Sequence, residues 1–143
     1  MTELKDVIYT ASAVVEGGRE GRGQTGDGLL DLNFAIPKEM GGSGNGTNPE
    51  QLFALGYAAC FESALRGVAA QQGKRLTKVK VHSQVGIGPL VGVDFGFGLK
   101  VKLAVEIPEL PREQAQEILQ AAHLACPYSN ATRGNIEVEL ELI

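Results

Sequence analysis

The chain has too little cysteine and histidine for a disulfide scaffold or an evident metal cage: two of each in 143 residues, and no tryptophan. Cys60 and Cys126 lie far apart in sequence. In a reducing compartment a structural disulfide is not expected of them, so they read either as two inert thiols or as a redox couple. His123 and Cys126 have an H-x-x-C spacing that could join Cys60 around a metal, but no fourth ligand accompanies them and no metal site is expected. Positive charge is short as well. Lys and Arg number 13 against 17 Asp and Glu, for a formal charge of −4, which argues against nucleic acid or an anionic membrane as the main partner. No window approaches the ~20 apolar residues of a membrane span. The opening MTELKDVIYTASAVV lacks a basic stretch followed by a continuous apolar run, so no secretory leader is expected and a cytoplasmic location is.

What the chain does have is one long helical stretch, Asn48 to Gly73. Asn48 can cap the first turn, Pro49 suits the first helical position, and Glu50 sits where the helix dipole favours an anion. Gly73 is a natural terminator. At ~1.5 Å per residue the helix spans roughly 36 Å, the spine of so short a chain. Gly56, Tyr57, Cys60, Ser63, Ala64 and Gly67 share one side, with Cys60 at its centre. Leu52, Leu55 and Ala59 flank that seam on one edge, and Phe61, Leu65 and Val68 on the other. Only Gln51, Glu62 and Arg66 point away. A helix apolar over most of its circumference is expected to be buried, and a small-residue seam lets another backbone come close.

Around this helix the pattern is mostly of strands. Val7–Val15 and Leu30–Ile36 alternate, joined by the glycine-rich GGREGRGQTGDG. Gly21, Gly23 and Gly26 match G-x-G-x-x-G, but a strand rather than a helix follows, which excludes a dinucleotide site. The second glycine loop, GGSGNGT, runs into the long helix without the lysine of a phosphate loop, and Glu50 would repel an anion there. Lys78–Ile87 and Phe95–Ile107 alternate as strands, Arg112 to Ala125 is a second helix ended by Cys126-Pro127, and Ile136–Ile143 is a last strand. The order ββαββαβ predicts one α+β domain over residues 1–143, a mainly antiparallel sheet packed on two helices, with the long helix buried at its centre. His82 reads as a surface or satisfied residue, His123 as a complement to the helix dipole or a tuner of the Cys126 thiol, and Arg133 as a neutraliser of a carboxylate.

A thiol in mid-helix and in apolar surroundings is a core residue first and a nucleophile second. Its ordinary pKa near ~8.5 rises with burial, and mid-helix position brings no help from the dipole. Reactivity at Cys60 requires a cation. Arg19, flanked by Gly17, Gly18 and Gly21, is one that mobile backbone could deliver, and a guanidinium entering an apolar site would need a carboxylate to hold it, for which Glu50 is the candidate.

Three stretches, GGREG, GGSGNGTNPEQLFALGYAACF and ACPYSNATRGN, resemble the OsmC/Ohr family and within it the organic hydroperoxide resistance branch, in matching order over nearly the whole chain. The resemblance implies a dithiol peroxidase working as an intertwined homodimer, with Cys60 peroxidatic, Cys126 resolving, Arg19 stabilising the thiolate and Glu50 orienting Arg19. It implies organic, often lipid-derived, hydroperoxides as substrates, a lipoyl dithiol or lipoylated protein as reductant, and no bound cofactor. Phe53, Phe95 and Phe97 are candidate walls of an apolar pocket. Two contrasting readings stand beside it, a non-catalytic module for a hydrophobic ligand and a dimer that uses the two cysteines only as a redox switch.

Helix geometry adds one expectation. Ten residues separate Glu50 from Cys60, ~15 Å along an unbroken helix. Either Glu50 and Arg19 reach Cys60 from the partner chain, or the helix breaks between Gly56 and Cys60.

Overall fold

Short strands and tight glycine turns build the first of two compact units, Met1–Leu52 and Phe53–Ile143, in the computed structural model, which describes residues Met1–Ile143. Strands β1 (Ala13–Glu16), β2 (Arg22–Thr25) and β3 (Asp31–Asn33) form an antiparallel sheet in the order β1-β2-β3. The first expected strand, Val7–Val15, contracts to β1, because only Ala13–Glu16 finds a ladder partner, in β2, while Val7, Ile8 and Tyr9 stay exposed. Leu30–Ile36 keeps only β3 and a single parallel bridge from Phe34 to Thr47. The glycine-rich connection is not all loop, since β2 lies inside it. Gly23 makes that possible, as a Cβ there would come within 2.8 Å of the Phe34 ring. Between β1 and β2 the chain reverses through Gly17 and Gly18, both at positive φ (82° and 55°). A Cβ on Gly21 would stand 1.8 Å from the Glu16 carbonyl oxygen, so only glycine allows the turn to close.

Helix α1 (Pro49–Gln71) starts as its sequence signals. The Asn48 side-chain oxygen accepts the Gln51 N–H at 2.8 Å, which satisfies one of the orphan donors of the first turn. It ends in a left-handed glycine, Gly73, with Lys74 N–H bonded to Ala69 O and Gly73 N–H to Ala70 O, the pattern that occupies the last carbonyls. The helix is unbroken. By length and composition alone it could cross a membrane, which corrects the expectation that no window could. Its stripe of Tyr57, Phe61, Leu65 and Ala69, each fully buried at i, i+4 spacing, makes it a core helix of the second unit. Burial within one chain is confined to that stripe, and Leu55 on the flank is 70% exposed.

The second unit carries β4 (Lys80–Pro89), β5 (Phe97–Glu106), α2 (Arg112–Ala125), α3 (Pro127–Thr132) and β6 (Val138–Leu142). β5 is central, antiparallel to β4 and parallel to β6. The parallel pair needs a crossover, which α2 and α3 supply. The class is α+β as expected, with two three-stranded sheets in place of one, a third strand before α1 and a short third helix after α2. Val101, Leu103 and Val105 of β5 and Ala115, Ile118, Leu119 and Ala122 of α2 join the α1 stripe in one core. Burying each large apolar side chain contributes about 1.5–3 kcal/mol, and this core is what holds α1, α2 and the Cys126 segment in fixed relation.

Candidate active site

In the second unit the two cysteines come together. Cys60 projects from the middle of α1, and its sulfur lies 3.3 Å from that of Cys126, both as free thiols. Cys126 is fully buried while Cys60 is partly open to the surface. Cys126 occupies a single extended residue (φ −66°, ψ 125°) that ends α2 and starts α3. Pro127 forces this break because the residue before proline avoids the helical region. The Cys126 N–H still bonds Ala122 O, and its own carbonyl accepts from Asn130 N–H.

Electrostatically Cys60 is not poised by its own unit. Burial pushes its thiol pKa up and the neighbouring Cys126 adds to the rise, while the backbone N–H of Tyr128 pulls it the other way. Beside the sulfur runs a groove of about 360 Å³ lined by Cys60, Ser63, Ala64, Gly67, Val68, Gln71, Ala125 and Pro127. These include Cys60, Ser63, Ala64 and Gly67 of the α1 seam, with Val68 and Gln71 beside it and the residues on either side of Cys126. None of the expected phenylalanine walls lines it. Phe53 packs against Tyr57 and Tyr128, and Phe95 and Phe97 face each other in the open, with Phe95 91% exposed. A larger depression of about 780 Å³ lies on the outer face of α2, among Arg112, Glu113, Gln116, Glu117 and Gln120. It holds no nucleophile and is a solvated helix face.

The first unit contains the other pair anticipated from sequence. Arg19, on the one-turn 3-10 helix Gly18–Glu20, makes a two-pronged contact with Glu50, Nη1 to Oε2 at 2.9 Å and Nη2 to Oε1 at 2.6 Å. This fork-to-carboxylate geometry is the strong form of the interaction. The hydrogen bond from Arg19 holds the Glu50 carboxyl below its usual range, and the same bond raises the guanidinium pKa. Arg22 is exposed and engages Asp31 through two hydrogen bonds as well.

Tyr57, Ser129 and Thr132 had no chemical role from sequence. The Tyr57 hydroxyl bonds Ser129 Oγ at 2.9 Å and Thr132 Oγ1 at 3.0 Å, all of it buried. His123 Nδ1 meets the same Ser129 Oγ at 2.9 Å, so this ring is not simply facing the dipole. Arg133 neutralises no carboxylate. It bonds the His123 carbonyl and donates to Asn130 Oδ1 at 2.7 Å, because those acceptors lie at the end of α2 and in α3, within its reach. His82 pairs with Glu106 at the surface.

The family model described as OsmC-like protein matches residues 42–141, a span that contains Glu50, Cys60 and Cys126. This chain belongs to the OsmC-like family. Within the family, it is 49% identical over 144 residues to the organic hydroperoxide resistance protein of Xanthomonas axonopodis pv. citri, covering 99% of each chain. It is 45% identical to the organic hydroperoxide resistance protein OhrB of Bacillus subtilis, covering 94% of this chain and 98% of that one. The crystal structure of that OhrB superposes with a TM-score of 0.86, over 96% of this chain and all of the other. An organic hydroperoxide resistance protein from Elizabethkingia anophelis, crystallised with thiocyanate bound, gives a TM-score of 0.90 at 44% identity, covering 97% of this chain and 98% of that one. For an OsmC-like chain, the α+β architecture described above is therefore shared with solved structures along essentially its whole length.

Proposed function

We propose that this OsmC-like protein is a cysteine-based peroxidase that reduces organic hydroperoxides to alcohols, acting in the cytoplasm in the response to oxidative stress. The observation that carries the proposal is the 3.3 Å approach of the Cys60 and Cys126 sulfurs. Two free thiols this close need only a small approach to form a covalent bond of ~2.0 Å. The names of relatives at 45–49% identity support the choice of substrate.

The chemistry follows from the sulfur. Cys60, more accessible than Cys126, attacks the distal oxygen of the peroxide as a thiolate. The O–O bond breaks, the alkoxide leaves as alcohol after taking a proton, and Cys60 becomes a sulfenic acid. Cys126 then displaces the sulfenic oxygen as water, giving a Cys60–Cys126 disulfide that an external dithiol such as a lipoyl group reduces. The raised thiol pKa of Cys60 in its own unit means that a cation must lower it, and Arg19 oriented by Glu50 is the one proposed. Since α1 is unbroken between Glu50 and Cys60, ~15 Å of helix axis separates them. We therefore assign the activating guanidinium to Arg19 of the partner subunit in a homodimer of single-domain chains. The same guanidinium would stabilise the departing alkoxide.

The test is consumption of cumene hydroperoxide with dihydrolipoamide as reductant. Wild type should turn over, and Cys60→Ser and Cys126→Ser should not. The Cys126→Ser protein should still accumulate a dimedone-trappable sulfenic acid at Cys60. A hydrophobic-ligand module would be indifferent to both changes, and a pure redox switch would oxidise once without catalytic turnover.

A further inference from the structure

Each cysteine has a hydrogen-bonding residue one turn before it on its own helix, Tyr57 before Cys60 and His123 before Cys126. Both reach the same atom, Ser129 Oγ, one turn into α3. The node is buried, with Tyr57 and Ser129 inaccessible and Thr132 nearly so. Nothing in the proposed chemistry uses these groups, yet they tie α1, α2 and α3 at the level of the two sulfurs.

The protons in this cluster can be assigned by counting donors. Thr132 Oγ1 also lies 3.3 Å from the Ser129 carbonyl, which can only accept, and counting that contact as a hydrogen bond commits the Thr132 hydrogen to it. The contacts Tyr57–Thr132, Tyr57–Ser129 and Ser129–His123 remain, with only the hydroxyl hydrogens of Tyr57 and Ser129 to fill them. Every contact is a hydrogen bond only if the third hydrogen comes from the imidazole. Tyr57 then donates to Thr132, Ser129 to Tyr57, and His123 Nδ1–H to Ser129. Burial, with the Arg133 charge adding to it, holds the His123 pKa below its ordinary value. The ring is thus neutral near pH 7, with its proton on Nδ1 and Nε2 bare.

We propose that Tyr57, Ser129 and His123 are positioning residues that set the register between the Cys60 and Cys126 segments, with His123 held as the Nδ1–H tautomer, so that this network governs disulfide closure far more than attack on the peroxide. The inference rests on the peroxidase reading of the same cysteines. In the step it controls, Cys60–SOH and Cys126–SH condense: the S–S bond forms, the S–O bond breaks, and water leaves with the sulfenic hydroxyl and the Cys126 proton. Closure requires two sulfurs on different helices to align, and a misplacement of about 1 Å can slow such a step by up to ~100-fold. Attack on peroxide needs the Cys60 sulfur and its proposed activating guanidinium but not the Cys126 sulfur, so it depends less on the register between the two segments.

Three measurements test it. In reduced wild type, long-range ¹⁵N–¹H correlation should find the His123 proton on Nδ1, and an Nε2–H tautomer would overturn the assignment. After mixing with cumene hydroperoxide, dimedone trapping at Cys60 and loss of the second free thiol, that of Cys126, separate the two chemical steps. Tyr57→Phe and His123→Leu should slow loss of the Cys126 thiol by about tenfold or more while sulfenic acid forms at Cys60 at nearly the wild-type rate. His123→Asn, whose amide N–H can stand where Nδ1–H did, should restore closure. Equal slowing of both steps, or no rescue by His123→Asn, would overturn the proposal. Closure driven by diamide, which oxidises the dithiol while being reduced to its hydrazine, supplies the arm without peroxide. Slow diamide closure in the variants supports the positioning role even if wild type fails to consume peroxide, an outcome that would sink the peroxidase reading alone. Unchanged diamide closure in properly folded variants sinks the positioning role.

Discussion

The two units divide the chemistry between them. Phe53–Ile143 holds both sulfurs in a dense apolar core, where the Cys60 thiol is pushed toward protonation. Met1–Leu52 holds a part-buried charged pair between a one-turn 3-10 helix and the first turn of α1, where the Glu50 carboxyl is pushed toward ionisation. One region holds two thiols with no cation among the groups that act on Cys60, the other a guanidinium committed to a carboxylate. The contrast teaches that burial and charge need not be reconciled within a single environment. On the peroxidase reading proposed above, the Cys60 thiol would stay inert until a guanidinium from a partner subunit reached it.

The sharpest way to break this division is Arg19→Ala. If that guanidinium is the activator, iodoacetamide alkylation of Cys60 at neutral pH should fall by about 100-fold, the usual scale for losing one charged stabilising donor. Unaltered alkylation would show that the sulfur-bearing unit activates itself. Glu50→Gln keeps the hydrogen-bonding shape of the carboxylate and removes its charge. It should loosen Arg19 and cost about tenfold in the same assay, as expected when a charge-assisted bond becomes a neutral one. Asn48→Ala removes the α1 cap and leaves both pairs intact. It should lower the urea-unfolding free energy by about 1 kcal/mol, with little change in alkylation.

The smallest effect is a pH dependence of opposite sign in the two regions. Glu50 has its folded pKa lowered, so its stabilising contribution is present above the unfolded carboxylate value of ~4.3 and is lost as pH falls through the lower folded value. Cys60 has its folded pKa raised, so the folded state loses stability as pH climbs past the unfolded thiol value of ~8.5. Urea midpoints against pH should fall at both ends. Glu50→Gln should flatten only the acid limb and Cys60→Ser only the alkaline one.

Much of this arrangement was legible in the chain. The cap, first turn and terminator of α1 were each carried by one residue acting locally, and Asn48, Pro49 and Gly73 do what their chemistry dictates. The pairing of Arg19 with Glu50 followed from the need of a guanidinium for a carboxylate. Features set by tertiary contact were not legible. β2 hides in a glycine-rich segment because its formation depends on Phe34 packing over Gly23, which no local propensity announces. The long alternation of Val7–Val15 overstated the first strand, because alternation does not say which residues find a ladder partner, and only Ala13–Glu16 pairs with β2. The Tyr57–Ser129–His123 node joins three helices through hydroxyl groups. The only trace of it in sequence was the repeated spacing of three residues around Cys60 and Cys126.

Gly56 has a consequence for how this chain can vary. A Cβ at that position would come within 2.8 Å of the Tyr128 hydroxyl and 3.2–3.3 Å of its ring carbons, and the ring belongs to the residue whose N–H faces Cys60. Positions 56 and 128 therefore behave as a single volume shared between two side chains. In other members of the family, any enlargement at the first should be accompanied by a slimmer side chain at the second, and such paired replacements should be tolerated where enlargement at position 56 alone is not.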